Sequence, residues 1–137
     1  MEIKVTIESN KEEVLKAVDE AIQKGLEECG LLAEGFAKKV SAVDTGLMRN
    51  SVTHALSGVP FSHDYQDDAG EQSGSISGEI GAKTDHEMYL GTNVEYAPYV
   101  EYGTTRMEAQ PFIRPAIENH QEEYKRIMEG ELKRYIE

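Results

Sequence analysis

Four groups of residues in this sequence have types that chemistry uses, and their spacing decides whether they can use it. Gly81-Ala82-Lys83-Thr84 approaches the end of a phosphate-binding loop, where a lysine directly follows the second glycine and reaches the cradled phosphates. Here Ala82 intervenes, and the motif fails. Asp64, Asp67, Asp68 and Glu71 offer hard oxygen ligands of the kind calcium takes, without the alternating spacing and sixth-position glycine of an EF-hand. They read as a solvated acidic stretch. His54, His63, His86 and His120 stand at no spacing that would bring two of them, or one of them and Cys29, onto a common ion. Cys29 falls on the apolar stripe of a helix, where a thiol packs as a small hydrophobe. No metal or cofactor is expected.

Asp44-Thr45-Gly46 is the remaining candidate, because the same tripeptide supplies one catalytic aspartate per subunit in homodimeric aspartic proteases of similar chain length. In those enzymes the aspartate follows an apolar strand of an all-β fold, and a hydrophobic pair plus glycine returns later in the chain. Here Lys38-Lys39-Val40-Ser41 precedes it in a helical pattern, and Tyr89-Leu90-Gly91 is a poor echo of the later element. The local reading is a helix cap, with the side chain of Asp44 or Thr45 accepting an orphan backbone N–H. No enzymatic activity is expected.

The elements that must position these residues follow from periodicity. Ile3, Val5 and Ile7 alternate with polar residues, the pattern of a short half-buried strand. Asn10 and Glu13 have capping-box spacing, and Val14, Val18, Ile22, Leu26, Cys29, Leu32 or Ala33, Phe36 and Val40 recur at three and four through about thirty residues. Such a helix is about 45 Å long. A compact domain of this size has a radius of gyration of about 14 Å, so the helix overhangs its own core and part of the stripe needs a partner. Gly25, Gly30 and Gly35 interrupt it every five residues, which implies a bend or the close approach of another backbone. A short helix is expected from Asp44 or Thr45 through Asn50, then a strand over Ser51 to Leu56. Residues 57–75, rich in Gly, Pro, Ser and Asp, read as an exposed, mobile loop. Ile76 to Ala82 and Met88 to Val94 read as an antiparallel hairpin around Lys83 to Glu87. Tyr96, Tyr99 and Val100 keep helical spacing, with Pro98 in a first turn and Gly103 after a last one. Pro115 opens a C-terminal amphipathic helix marked by Ile117, His120, Tyr124, Ile127 or Met128, Leu132, Tyr135 and Ile136. The expected architecture is α+β: a long N-terminal amphipathic helix and a C-terminal helix packed on a small, mostly antiparallel sheet, in a single domain over residues 1–137.

Composition narrows the partners. The 137 residues carry 14 Lys plus Arg against 26 Asp plus Glu, a formal charge of -12, which opposes condensation on nucleic-acid phosphates. Residues 57–110 hold -8 of it, with 2 basic and 10 acidic side chains. Met1-Glu2 opens an acidic start with no apolar run behind it, and no stretch reaches the roughly 18 apolar residues of a membrane span. A cytoplasmic chain without a membrane partner is expected.

Three segments in fixed order carry a family resemblance: Val43-Asp44-Thr45-Gly46-Leu47-Met48-Arg49-Asn50-Ser51, Tyr96-Ala97-Pro98-Tyr99-Val100-Glu101-Tyr102-Gly103-Thr104, and Ala109-Gln110-Pro111-Phe112-Ile113-Arg114-Pro115-Ala116. Together they resemble the tail-completion, or head-to-tail joining, proteins of tailed phages. The resemblance implies a non-catalytic virion protein of a phage or prophage, present in the host cytoplasm during assembly, whose copies form a ring between head connector and tail. Its partners would be itself and the neighbouring head-connector and tail proteins, with DNA at most passing through the ring. Within the signature, Thr45 or Asp44 caps the short helix and Gly46 lets the chain turn. Tyr96 and Tyr99 form a tyrosine turn that Gly103 ends before Thr104, while Pro111 and Pro115 fix the entry angle of the last helix around Phe112. Glu101 and Arg114, charged residues in an otherwise apolar signature, are expected to pair and lock that helix to the tyrosine turn. Two other readings stay open here: a homodimeric protease using Asp44, and an acidic adaptor that binds a host protein through the 57–75 loop.

Overall fold

The computed structural model describes residues 4–5 and 11–136. In chain order it contains α1 (Lys11–Val40), α2 (Leu47–Ser51), β1 (Thr53–Leu56), β2 (Phe61–Gln66), β3 (Ser73–Gly78), β4 (Met88–Gly91), α3 (Ala97–Tyr102), α4 (Ile113–Glu118) and α5 (Gln121–Ile136). This is the expected α+β architecture. The cap at Asn10 and most of the strand expected over residues 1–7 lie outside the described residues; Lys4 and Val5 carry no strand, and Val5 is exposed.

Helix α1 runs unbroken for 30 residues, with Glu12 and Glu13 in its first turn and Lys38 and Lys39 in its last, each sign placed where it complements the helix dipole. Its buried positions are small: Ala21, Gly25, Cys29, Gly30, Ala33 and Ala37. Neighbours therefore come close. A Cβ on Gly25 would lie 2.6 Å from Met128 Sδ of α5, and one on Gly30 would overlap the imidazole of His54 on β1. Side chains, not a second backbone, fill the room that two of the glycines leave, and the helix does not break at the third. Gly35 faces open space.

The sheet is divided. β1 pairs antiparallel with β4 in the register Thr53↔Gly91 to Leu56↔Met88, and β2 pairs antiparallel with β3 from Phe61↔Gly78 to Gln66↔Ser73. Two expectations are corrected here. Ile76 to Ala82 and Met88 to Val94 do not form a hairpin with each other; the first contributes to β3 and the second to β4, in different sheets. Residues 57–75 are not simply a loop, since they hold β2 and the start of β3. The reason lies in side-chain to backbone bonds that composition conceals. Asp67, almost fully buried, accepts the N–H groups of Glu71 (2.8 Å) and Gln72 (3.2 Å) and thereby builds the hairpin turn. Asn50 donates its amide to Gln66 O and Asn93 donates to Ser75 O, each at 2.8 Å, occupying one carbonyl on each strand.

The core comprises Phe112, Val52, Met48, Val94, Ala97, Ala37 and Ala116, drawn from α1, α2, α3, α4 and the connections beside them. Helix α5 adds no member among the described residues; it lies along α1 instead. The single C-terminal helix expected from Pro115 is also corrected. Pro115 is the third residue of α4, still in the first turn where its missing N–H goes unneeded, and the chain breaks at Asn119-His120 before α5 begins. No helix of the described residues is long and apolar enough to cross a membrane.

The glycines of α1 give opposite expectations. Gly35→Ala fills open space in a helix interior and should stabilise the protein by about 0.5–1 kcal/mol. Gly30→Ala must displace His54 and should destabilise it, both effects read from urea denaturation midpoints at unchanged slope.

Candidate assembly surface

The signature segments meet around α2, α3 and α4. Gly46 precedes α2 at φ 86°, a left-handed conformation, and a Cβ there would strike the Asp68 carboxylate. The N-cap is Gly46, which has no side chain to cap with, so neither Asp44 nor Thr45 takes that position; Thr45 Oγ1 accepts the Leu47 N–H at 3.3 Å from one residue before it. The hairpin turn is fastened to the same spot, because Asp68 donates its N–H to Thr45 O at 2.9 Å and its carboxylate pairs with Arg49 and accepts from the Asn50 amide. Asp44 is exposed at a helix-to-helix connection, an environment unlike the strand end that a protease aspartate occupies.

On the other side of the signature, α3 starts after Tyr96 with proline in its first turn and ends on Gly103 at φ 79°, whose N–H returns to Tyr99 O at 2.8 Å. The Thr104 hydroxyl accepts the N–H groups of Arg106 (3.2 Å) and Met107 (3.0 Å), folding the following loop back, and Gln110 N–H reaches Val100 O at 2.8 Å. Glu101 then reaches across the loop. Its Oε2 accepts Phe112 N–H at 2.7 Å and Ile113 N–H at 3.1 Å, and its Oε1 accepts Arg114 N–H at 2.7 Å. The lock between tyrosine turn and last helices is therefore real, but its chemistry differs from the expected ion pair. The carboxylate caps the start of α4 through backbone donors, and the Arg114 guanidinium lies 5.7 Å from the centroid of the Tyr102 ring instead.

What this frame presents outward is aromatic. Tyr96, Tyr99 and Tyr102 recur at three-residue spacing along α3 and are 45%, 59% and 70% exposed. Val40 and Val43 are also more than half exposed. Val43 and Tyr96 border a mainly apolar cleft of about 170 Å³ together with Gly46, Met48 and Val100, so all of its lining comes from the first two signature segments or beside them. A second cleft of about 180 Å³, bordered by Pro98, Glu101, Tyr102, Phe112 and Ile113, lies on the α4 side.

The other chemical candidates have structural occupations. Cys29 is buried, its thiol directed at Tyr124 O at 3.7 Å, and burial pushes its pKa up. Burial, with Cys29 and Glu123 nearby, likewise pushes the Tyr124 hydroxyl up to about 12. His63 contacts Asn50 O at 2.9 Å, His86 contacts Asp19 at 2.7 Å, and His120 stacks on Phe36 at 3.4 Å between ring centroids. Among the described residues no group of three His, Cys, Asp or Glu side chains could hold a metal ion. His54 makes the contact that periodicity does not reveal. Its Nδ1 lies 2.6 Å from Glu34 and its Nε2 3.0 Å from Glu27, two carboxylates seven residues apart on α1 with Gly30 making room between them. The i, i+7 pair flanking a glycine is visible in the sequence; the strand that fills the gap is not.

Among families of known proteins, the one described as bacteriophage HK97-gp10, putative tail-component, matches residues 6–103. The chain belongs to this family. No curated protein and no solved structure matches it. In this HK97-gp10-like chain the match takes in α1 through α3 and ends at Gly103, so the third signature segment and helices α4 and α5 lie beyond it. A phage tail component is accordingly the coarse description of the protein.

The supports of this surface can be measured separately. Glu101→Ala strands three N–H groups at the start of α4 and should cost about 1–2 kcal/mol, whereas Arg114→Ala should cost less than about 0.5 kcal/mol, with no coupling between the two in a double-mutant cycle on stability. The His54 clamp should respond to pH. Hydrogen bonding to Glu34 raises the pKa of His54 despite the opposing effect of burial, with Glu27 adding to the rise. At Glu34 burial works upward, but the hydrogen bonds and charge of His54 outweigh it and hold the pKa below its ordinary value. The histidine contribution is complete below its unfolded pKa of 6.5 and is lost as pH rises through the higher folded value. The glutamate contribution is present above 4.5 and lost as pH falls through the lower folded value. Urea midpoints should therefore fall between pH 6 and pH 9 in the native protein, and His54→Gln should remove that part of the decline.

Proposed function

We propose that this chain is a non-enzymatic structural protein of a phage or prophage virion, whose copies form a ring at the head-tail junction and take part in tail assembly. The observation that carries the reading is the tyrosine surface. A small protein seldom leaves three large aromatic rings exposed along one short helix and its cap, with an apolar cleft beside the first and another beside the third, unless another surface covers them. Tyrosine suits such a contact because it buries a large rigid ring at low entropic cost while its hydroxyl stays hydrogen-bonded. The family supports a tail role for the covering surface, and self-association through a head-to-tail contact closes into a ring when its rotation is an integral fraction of a turn.

Neighbouring head-connector and tail proteins would dock on the two faces of such a ring, and the host cytoplasm is where assembly would occur. The charge distribution fits a passage for DNA. Residues 57–80, which contain the β2-β3 hairpin, carry Asp64, Asp67, Asp68, Glu71 and Glu79 and neither lysine nor arginine. Copies of that hairpin facing a channel would repel the phosphate backbone and keep it sliding instead of adhering.

Light-scattering mass across a concentration series, followed by electron microscopy of the heaviest fraction, tests the proposal. The native chain should form closed rings, and Tyr99→Lys combined with Tyr102→Lys should lower the association constant at least about tenfold, the equivalent of about 1.4 kcal/mol. A native chain that stays monomeric at millimolar concentration and in the presence of its head connector would overturn the ring. Rings that survive both substitutions would overturn the tyrosine surface as the contact.

A further inference from the structure

The break between α4 and α5 has no breaker. From Ala116 to Glu129 there is neither glycine nor proline, and the apolar and aromatic residues Ile117, His120, Tyr124, Ile127 and Met128 recur at three and four straight through Asn119-His120. Local sequence therefore favours one helix from Ile113 to Ile136, whereas the chain makes two. Such disagreement between local preference and global fold means that tertiary contacts, not local propensity, decide the break.

Tertiary contacts hold the break. The His120 ring stacks on Phe36 of α1 at 3.4 Å and 8° between planes. The Tyr124 hydroxyl donates to Ala116 O, the carbonyl that would take the His120 N–H in a continuous helix. Asn119 sits at φ -85°, ψ -3°, a right-handed conformation that needs a small change to become helical. The arm beyond the break packs along α1 mainly through half-buried side chains. Of the α5 residues whose side chains are described, the single fully buried one is Glu131, at 2% exposure against α1 beside Gly25. Its Oε2 has no hydrogen-bond partner; Lys24 Nζ stands 3.8 Å away, and Arg134, itself exposed, reaches only Oε1 at 3.3 Å. A buried carboxylate so poorly compensated lowers the cost of lifting α5 from α1.

We propose that α5 is an exchangeable arm: on assembly α4 and α5 join into one helix, and α5 leaves its own α1 to lie on the α1 of a second copy. The occupant of the vacated seam is another α5, because Gly25 accepts Met128 and Glu131, and Cys29 accepts Tyr124, equally from either chain, so the packing given up within one chain is recovered between two. Exchange also straightens the break and ties each copy to its neighbour through a helix continuous with the signature surface. The inference rests on the reading of this chain as self-assembling, and it assigns a joint to the assembly.

Disulfide trapping separates the two arrangements. In a Cys29→Ala background, Gly25→Cys with Met128→Cys places two thiols across the seam, since a Cβ on Gly25 already touches Met128 Sδ. Gly25→Cys with Glu131→Cys is a second pair, in case Met128→Cys impairs folding, since the same Cβ lies 3.7 Å from Glu131 Cγ. Oxidation of the monomeric fraction should close the bond within one chain; oxidation of the assembled fraction should give covalent multimers on a non-reducing gel. Asn119→Gly weakens the continuous helix while leaving the His120-Phe36 stack in place, and should reduce the multimer yield several-fold. Assembled rings that trap only intrachain bonds overturn the exchange and leave the ring intact. Absence of any assembly overturns both, covalent dimers without rings uphold exchange against the ring, and failure of both pairs to oxidise overturns the α1-α5 seam on which the exchange depends.

Discussion

Most of this molecule is arranged on a helix too long for the domain to enclose. The thirty residues of α1 present small side chains on their inner face, and that choice decides what can approach. Met128 lies over Gly25, the imidazole of His54 over Gly30, and Ala37 joins the core beside Phe112. Larger residues along this stripe would push α5, the β1-β4 pair and α4 outward together, because close-packed interiors do not absorb even a methylene without movement. The same smallness limits how much apolar area any one neighbour buries, so α1 needs polar clamps as well. The two carboxylates that grip His54 and the Phe36-His120 stack are those clamps, both on the second half of the helix.

The second organising contact is the Glu101 carboxylate. Three successive backbone N–H groups at the start of α4 converge on its two oxygens, which fixes α3, the loop after it and α4 as a unit. Charge on the acceptor makes each of these bonds stronger than a neutral one, and the short helix supplies the orphan donors that need them. With the carboxylate occupied, Arg114 is free to lie on Tyr102. The tyrosine surface is thus held from below by a carboxylate and from the side by a guanidinium, while its exposed rings project into solvent.

Long-period features were legible in the sequence. The extent of α1, the α2 and α3 turns, the glycine at the end of α3 and the ordered signature all rest on spacing along the chain, where three- and four-residue recurrence, proline and glycine act locally. The hairpin over β2 and β3 was not legible, because Ser73-Gly74-Ser75-Ile76-Ser77-Gly78 has loop composition and becomes a strand through bonds from Asn93, Asn50 and a turn built by Asp67. Strand pairing eludes the sequence for a related reason. Adjacency in sequence favoured joining the segments on either side of Lys83 to Glu87, whereas the real partners, Thr53 with Gly91 through Leu56 with Met88, have the whole β2-β3 hairpin between them. At the site, Glu101 and Arg114 were visible as the odd charges in an apolar signature, but a sequence does not say whether a carboxylate will meet a side chain or a row of backbone amides. His54 presented no spacing at all until a strand carried it to α1.

The acidity of the hairpin takes on a different weight once each carboxylate has an address. Asp67 is consumed by the turn, and Asp68 by Arg49 and the start of α2. Asp64, Glu71 and Glu79 remain exposed. Structural necessity therefore explains the first two acids, and not the other three, nor the absence of any lysine or arginine from residues 57–80. Isolated exposed carboxylates on one chain interact weakly, since charges farther apart than about 8 Å are screened at physiological ionic strength. Gathered copy by copy around a narrow passage they would come within that distance of each other and of anything passing through, and their fields would add where a single chain's would not. With Asp68 paired to Arg49, the uncompensated acidity of the hairpin lies in Asp64, Glu71 and Glu79, a small effect in one chain and a larger one only in the ring proposed above.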